Sequence, residues 1–253
     1  MQFYLGTNKS HWLRITDVPL FVSHRTLRVK KNTHPATTSW CLDSGGFTEL
    51  SKYGKWTISP ESYVQAIQKY RDEIGKLVWA APQDWMCEPQ IISNTGLSVA
   101  IHQELTISNY LHLLELDASL PIIPVLQGWA LDDYKRHIEM YDAAGIDLAR
   151  QQVVGLGSVC RRQNTQEIAT IVRYIKSCGI KMHGFGVKVS GLKLYGDLLQ
   201  SADSMAWSFQ ARQRKFRFGK CTHAAKTCST CLVWALEWRN DMLAKSGLGF
   251  QNV

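Results

Sequence analysis

The 253-residue chain alternates short apolar runs with longer stretches of helical character. Eight apolar runs have the length of buried strands, and they lie at residues 3–6, 20–23, 39–43, 77–81, 122–127, 153–157, 182–187 and 204–207. Helical spacing of apolar residues predicts a helix over residues 164–177, whose buried face would carry Ile168, Ile171, Val172 and Ile175. Another helix is predicted from Pro60, because Ser59 can cap it and proline suits a first turn.

Strands that alternate with helices form parallel sheets, and eight such strands favour closure into a barrel. We therefore predict an α/β fold, a (β/α)8 TIM-like barrel in a single domain over residues 1–253. The length and the 45% hydrophobic content suit such a barrel. An open doubly wound sheet is the alternative, because the first two strands leave little room for a crossover helix.

Polar residues and glycines follow several of the predicted strands. These segments are Asp43-Ser44-Gly45-Gly46, Gln83-Asp84, Gln127-Gly128 and Gly155-Leu156-Gly157, and Asp203 lies beside the last strand. In parallel α/β folds the carboxyl ends of the strands form the active-site face. The sequence therefore predicts a site built from these segments.

Each of these side chains has a functional and a structural interpretation. Asp43 could act as a general acid or base with Phe47 stacking on a flat ligand, or it could cap a turn. Asp203 could attack an anomeric carbon, or it could cap a helix or pair with a cation. The Asp84 and Gln127 side chains could read the edge of a guanine-like base, or they could be solvated.

The pattern Cys221-x-His223-x4-Cys228-x2-Cys231 places four metal-ligand side chains within eleven residues. All four can close one tetrahedral Zn²⁺ site, and no position is left open for chemistry. We predict a structural zinc element over about residues 212–245. The other histidines, His183 among them, show no ligand spacing, and most are expected to be structural. The remaining cysteines are scattered, which is not a disulfide framework.

The balance of charge is basic, with 29 Lys and Arg against 21 Asp and Glu, a net charge of +8. A run over residues 212–220 interleaves cations with Phe216 and Phe218, which could neutralise phosphates and stack bases. Its candidate phosphate contacts are Arg212, Arg214, Lys215 and Arg217. A second basic run covers residues 25–31, and a solvated face is the alternative for both. No apolar run reaches bilayer length and the start is not a secretory signal, so we expect a cytoplasmic protein with reduced thiols and no membrane partner.

Taken in order, these motifs resemble the guanine transglycosylase superfamily, which includes tRNA-guanine transglycosylase and enzymes that place 7-deazaguanines in DNA. The resemblance runs from about Ser39 to Cys231. It consists of DSGGF, an Asp after the next strand, LQG, a GLG turn, a further Asp and a zinc-binding cluster.

The resemblance implies a role for each motif. Asp203 would be the nucleophile on C1′, and Asp43 the general acid/base for the leaving and incoming bases. The base edge would be held by Asp84, Gln127 and the backbone of Gly155 and Leu156. Its faces would lie between Phe47 and Phe185, and the zinc would be structural.

Three departures from the tRNA enzymes favour the DNA-modifying branch, with a 7-deazaguanine base of the preQ0 type as the second substrate. The histidine lies inside the cysteine cluster, Arg161 and Arg162 stand where an acid is expected, and the chain ends at Val253, which leaves little room for tRNA docking. Arg161 and Arg162 would then contact nucleic acid. The alternative within the superfamily is a tRNA-guanine transglycosylase. A non-catalytic zinc-containing nucleic-acid-binding protein and a small-molecule N-glycosidase are further hypotheses.

Overall fold

A computed structural model describes residues 1–160, 162 and 166–247. Its strands are β1 (Gln2–Thr7), β2 (Leu20–Ser23), β3 (Trp40–Asp43), β4 (Leu77–Ala80), β5 (Val125–Leu126), β6 (Val154–Leu156), β7 (Met182–Gly184) and β8 (Ser201–Ser204). Its helices are α1 (His24–Leu27), α2 (Gly46–Tyr53), α3 (Pro60–Glu73), α4 (Pro89–Thr95), α5 (Val99–Leu116), α6 (Leu131–Ala143), α7 (Gln166–Ser177), α8 (Val189–Tyr195), α9 (Ala206–Gln213) and α10 (Leu232–Ser246). Short 3-10 helices lie at Ser10–Arg14, Leu148–Arg150 and Gly196–Leu198.

The strands form one parallel sheet in the order β4-β3-β2-β1-β8-β7-β6-β5. The two edges of the sheet meet at a parallel bridge between Ala80 and Ile122, where the N–H of Ile123 donates to the carbonyl of Ala80 at 3.1 Å. The sheet therefore closes into a barrel, which confirms the predicted TIM-like α/β fold. The short connections after the first two strands do not prevent closure: α1, which follows β2, has only four residues.

The helices form where the sequence pattern predicts them. The N–H of Ser62 donates to Oγ of Ser59 at 3.2 Å, and Pro60 occupies the first turn of α3. The face of α7 is fully buried, as the spacing of its isoleucines predicts. Burying one such side chain contributes roughly 1.5–3 kcal/mol, so the apolar stripe holds α7 against the sheet. The first two residues of that prediction, 164 and 165, lie outside the described residues.

Alternate side chains along a strand face opposite sides of the sheet. Leu5 joins the large core that the barrel shares with its helices. Its neighbour Tyr4 belongs instead to a smaller cluster with Phe21 and Trp79, which fills the interior of the barrel. This interior cluster forms the floor beneath the carboxyl ends of the strands.

The last strand lies three residues earlier than predicted. Residues 204–207 were expected as a strand, but β8 is Ser201–Ser204 and α9 begins at Ala206. All four residues of β8 are buried although three of them are polar, so the strand carries no apolar signal. The apolar signal comes from Trp207, which lies in the first turn of α9 and packs its indole against that of Trp12. Asp203 is consequently inside the strand rather than beside it.

The segment between α9 and α10 carries the Cys/His cluster, defined as Cys221, His223, Cys228 and Cys231. Cys228 and Cys231 pack with Ala211 of α9 in a small core of their own. Helix α10 then returns to the main core through Ala235, Trp238 and Met242, among others. No helix in the described residues is long and apolar enough to cross a membrane.

Candidate active site

A cavity of about 280 Å³ opens at the carboxyl ends of the strands. Pockets for small ligands are typically ~300–1,000 Å³, so this volume suits a ligand the size of a single base. Among the residues that line it are six of the predicted site residues: Asp43, Phe47, Asp84, Gln127, Phe185 and Asp203. The fold thus brings together side chains from β3, β8 and the segments that follow β4, β5 and β7.

Two predicted contacts do not reach the cavity. Gly155 and Leu156 lie within β6, where the N–H of Gly155 donates to the carbonyl of Pro124 at 2.9 Å. The missing side chain of Gly155 instead makes room for Phe185, because a Cβ there would lie 2.6 Å from that ring. The next two residues, Gly157 and Ser158, line the cavity in their place.

Asp203 lies in β8 between β1 and β7, and only 5% of its surface is exposed. Its Oδ1 accepts a hydrogen bond from the N–H of Gly186 at 2.9 Å and lies 3.3 Å from Nε2 of His183. His183 is fully buried on β7, and its Nδ1 lies 2.9 Å from Oγ of Ser201. The sequence analysis missed His183, because a single histidine in a strand carries no spacing signal.

Asp43 ends β3 and lines the same cavity. Burial raises the pKa of its carboxyl above the ordinary value, although hydrogen bonds from Ser23 and the Gly45 N–H oppose the shift. The negative charge of Asp203 raises the pKa of Asp43 further. A carboxyl in this environment can hold a proton and release it nearby.

The turn after Asp43 depends on Gly45, which has a φ of 86°. A Cβ at this position would lie 2.7 Å from Cγ of Arg25. Arg25 in turn forms an ion pair with the buried carboxylate of Glu49 at 2.6 Å. The two glycines after Ser44 therefore let α2 begin directly behind Asp43 and present Phe47 to the cavity.

Asp84 and Gln127 form a buried pair on the other side of the cavity. The Gln127 Nε2–H donates to Oδ2 of Asp84, and Oε1 of Gln127 accepts from the Ser158 hydroxyl at 2.7 Å. Burial raises the pKa of Asp84 to about 7, and the charges of Asp43 and Glu88 add to the shift. Gly157 allows this arrangement, because a Cβ there would overlap the Gln127 amide.

The Ser158 hydroxyl links this pair to a second carboxyl group. Its Oγ lies 3.0 Å from Oε2 of Glu88 and accepts from the N–H of Cys87 at 2.8 Å. A hydroxyl has one proton, so it can donate to either Gln127 or Glu88 but not to both. The Ser158 hydroxyl therefore connects the Asp84–Gln127 pair to Glu88.

The aromatic side chains predicted to sandwich a base both border the cavity. Phe47 lies on α2 with 44% of its surface exposed. Phe185 is half-buried, and its ring centroid lies 6.0 Å from that of Phe21 in the barrel interior. One exposed ring and one anchored ring can accept a flat ligand between them.

The ligand atoms of the Cys/His cluster all lie within 4.8 Å of one another. The sulfur atoms of Cys221 and Cys231 are 3.3 Å apart, and Nε2 of His223 lies 3.3 Å from Sγ of Cys228. A tetrahedral site with metal–sulfur bonds of ~2.3 Å requires neighbouring ligand atoms at roughly this spacing. The four predicted ligands therefore converge and could hold a metal ion.

The cations of the basic run are exposed, and its aromatic rings are partly buried. Arg212, Arg214, Lys215 and Arg217 are exposed. Phe216 and Phe218 instead pack against Trp234, with ring centroids 4.7 and 5.6 Å away. The two rings therefore pack against the small core of the Cys/His cluster, and their stacking on bases stays a prediction.

Arg161 and Arg162 follow the GLG turn. Arg161 lies outside the described residues. The guanidinium of Arg162 stacks 3.9 Å above the ring of Trp129, donates to its carbonyl at 2.6 Å and pairs with Glu167. Arg162 therefore already has protein partners in the absence of nucleic acid.

The comparison with known protein families agrees with this geometry. The profile of the family described as DpdA, DeoxyPurine in DNA protein A, matches residues 1–249. No curated protein matches the chain. Because the family match spans every strand, the cavity and the Cys/His cluster, the chain belongs to the DpdA family, the 7-deazaguanine DNA transglycosylase branch of the guanine transglycosylase superfamily.

Proposed function

We propose that the protein exchanges guanine in DNA for a 7-deazaguanine base of the preQ0 type through a covalent aspartyl-glycosyl intermediate. One observation carries the proposal. Asp43, at the end of β3, and Asp203, within β8, line a cavity that also holds the Asp84–Gln127 pair. Two carboxyl groups can perform displacement at an anomeric carbon, and the pair can hold the base on which the displacement acts.

The base edge fits the donors and acceptors of this pair. Guanine presents two N–H donors, at N1 and the 2-amino group, and a carboxylate accepts both. The ionised form of Asp84 meets that need, while Gln127 supplies a further polar contact. 7-Deazaguanines share this edge with guanine, so one pocket serves the leaving and the incoming base. The target nucleotide would have to leave the duplex stack to reach the pocket.

The exchange then proceeds in two displacements. An oxygen of Asp203 forms a bond to C1′ while the C1′–N9 bond breaks, and Asp43 gives a proton to the departing guanine. The 7-deazaguanine next attacks C1′ through its own N9, and Asp43 takes the N9 proton. The C1′–O bond breaks with its electron pair returning to Asp203. Two inversions give net retention at C1′.

The remaining groups support binding rather than chemistry. We assign the Cys/His cluster a structural Zn²⁺, which four protein ligands hold without leaving an open coordination position. The exposed cations Arg212, Arg214, Lys215 and Arg217 are assigned to phosphate contacts. Arg162 would join them by exchanging Glu167 for a phosphate, and Arg161 remains a candidate of the same kind.

The test is base exchange on defined nucleic acid. Wild type, Asp203→Asn and Asp43→Asn are incubated with a 7-deazaguanine and either a guanine-containing DNA oligonucleotide or tRNA. Nucleosides are then quantified by mass spectrometry, and covalent adducts are detected by intact-protein mass. Asp197→Asn is the matched control, because Asp197 is an exposed acid that does not line the cavity.

We expect exchange on DNA by wild type and the control. Asp203→Asn should show neither exchange nor adduct, and Asp43→Asn should be slower by ~10²–10⁴-fold. An adduct in Asp203→Asn would assign the nucleophile to another residue. Exchange on tRNA but not on DNA would establish the tRNA enzyme instead.

A further inference from the structure

His183 links two residues of β8 from the neighbouring strand β7. Its Nδ1 lies 2.9 Å from Oγ of Ser201, and its Nε2 lies 3.3 Å from Oδ1 of Asp203. The imidazole is fully buried, with aromatic ring centroids at 4.6 Å for Trp79 and 4.9 Å for Phe185. The packing therefore fixes the ring plane and leaves each nitrogen one partner on β8.

The chemistry of these partners determines where the proton sits. A carboxylate oxygen only accepts hydrogen bonds, so the nitrogen that faces Asp203 has to be the donor. In a neutral imidazole Nδ1 then accepts, and the Ser201 hydroxyl is its donor. Ser201 thus fixes the tautomer of His183 that can bond to Asp203.

Both hydrogen bonds that Asp203 makes within the described part of the chain fall on Oδ1. The donors are the N–H of Gly186 and Nε2 of His183. The lone pairs of Oδ2 are left for the substrate side, since Asp203 lines the cavity. A carboxylate held by one oxygen presents the other in a defined direction.

We propose that His183 is a positioning residue for Asp203, which selects Oδ2 as the attacking oxygen and stabilises the carboxylate when it departs in the second displacement. This inference rests on the proposed function. In the first displacement Oδ2 bonds to C1′ and the C1′–N9 bond breaks, with the electron pair on guanine. In the second the C1′–Oδ2 bond breaks, and the returning negative charge is shared with Oδ1, where the His183 N–H donates.

The two steps respond in opposite ways to loss of this donor. Hydrogen bonds lower the energy of the free carboxylate, so they restrain its attack but favour its departure. Without the His183 donor, the second displacement slows more than the first. The covalent adduct should then accumulate, which a merely structural defect would not cause.

The experiment compares three variants in the DNA exchange assay. His183→Phe preserves an aromatic ring but has no donor, His183→Gln has a donor and an acceptor, and Ser201→Ala removes the group that fixes the tautomer. For His183→Phe we expect kcat to fall roughly 10- to 100-fold, the loss typical of a hydrogen bond to a charged group, with KM for DNA unchanged. Its adduct fraction should rise, His183→Gln should recover most of the rate, and Ser201→Ala should lie between.

Several outcomes would overturn the proposal. These are a wild-type kcat in His183→Phe, a slower rate without a larger adduct fraction, or an equal loss in His183→Gln. The tautomer is tested separately by ¹⁵N NMR of the imidazole in wild type without substrate, where a proton on Nε2 is expected and a proton on Nδ1 contradicts the assignment. Because this measurement needs no activity, it tests the His183–Asp203 contact even if wild type exchanges no base.

Discussion

At the scale of single residues, the cavity sets its acids in unlike surroundings. Asp203 receives two N–H donors on one oxygen. Burial raises the pKa of Asp43 and of Asp84. The charge of Asp203 raises the pKa of Asp43 further, and the charge of Asp43 raises that of Asp84. Environments that separate acids in this way divide the work among chemically identical groups. One carboxylate can attack, one can carry a proton and one can read the base.

Asp84 should cost the protein stability at neutral pH. With its pKa near 7 in the fold, it binds a proton more tightly than the unfolded chain does, where the pKa is 3.8. Stability is therefore lost as pH rises from about 4 to about 7, by ~4 kcal/mol at most. Asp84→Asn keeps an acceptor for Gln127 and should unfold at higher urea concentration than wild type at pH 8, with little difference at pH 4. A variant less stable than wild type at pH 8 would contradict this expectation.

Gly157 should be required for base recognition rather than for folding. A Cβ at this position overlaps the Gln127 amide, so Gly157→Ala has to move Gln127 away from Asp84. We expect calorimetric binding of free 7-deazaguanine to weaken by tenfold or more, which corresponds to ~1.4 kcal/mol, about the value of one hydrogen bond. Gly219→Ala is the matched control, because a Cβ there meets no atom within 4 Å. Equal affinity in both variants would show that Gln127 does not contact the base.

At the scale of elements, apolar patterning and capping signals predicted helices whose buried faces are apolar. Helix α7 and the start of α3 could be predicted because isoleucine spacing and the Ser59-Pro60 cap act locally. Strand β8 was misplaced because its polar side chains are buried against other strands, a partnership between distant parts of the chain. His183 was missed for the same reason. The site acids were found because glycines and strand ends mark them in the sequence.

The segment between α9 and α10 should depend on its metal. The core around Cys228 is small, and it consists of Ala211, Cys231 and the rings packed against them. We expect purified protein to contain about one zinc per chain, and a strong chelator or Cys228→Ser should lower the melting temperature and expose this segment to protease. Cys178→Ser, at a half-buried cysteine outside the cluster, is the control. Metal-free protein of unchanged stability would remove the assignment.

At the scale of the whole molecule, the chain carries a net charge of +8. Phosphate contacts release counterions, so each lost contact reduces the salt dependence of DNA affinity by roughly one unit of slope. We expect Arg212, Arg214 and Lys215, replaced together by Gln, to flatten that slope. The same change at three exposed cations around the far end of α7 removes equal charge there, at Arg173, Lys176 and Lys181. If the salt dependence of DNA affinity has the same slope in both triple variants, the basic run is a solvated face and does not contact phosphates.

The pairing of β1 with β8 also bears on when the candidate site forms during folding. Tyr4 of β1 pairs with Asp203 of β8, so the proposed nucleophile lies against a strand that is distant from it in the sequence. During synthesis β1 emerges before β8, and contacts between segments so distant along the chain form late. A nascent or refolding chain can therefore acquire its helices and much of its sheet while still inert. On the proposed function, the site is complete only once β1 and β8 have paired.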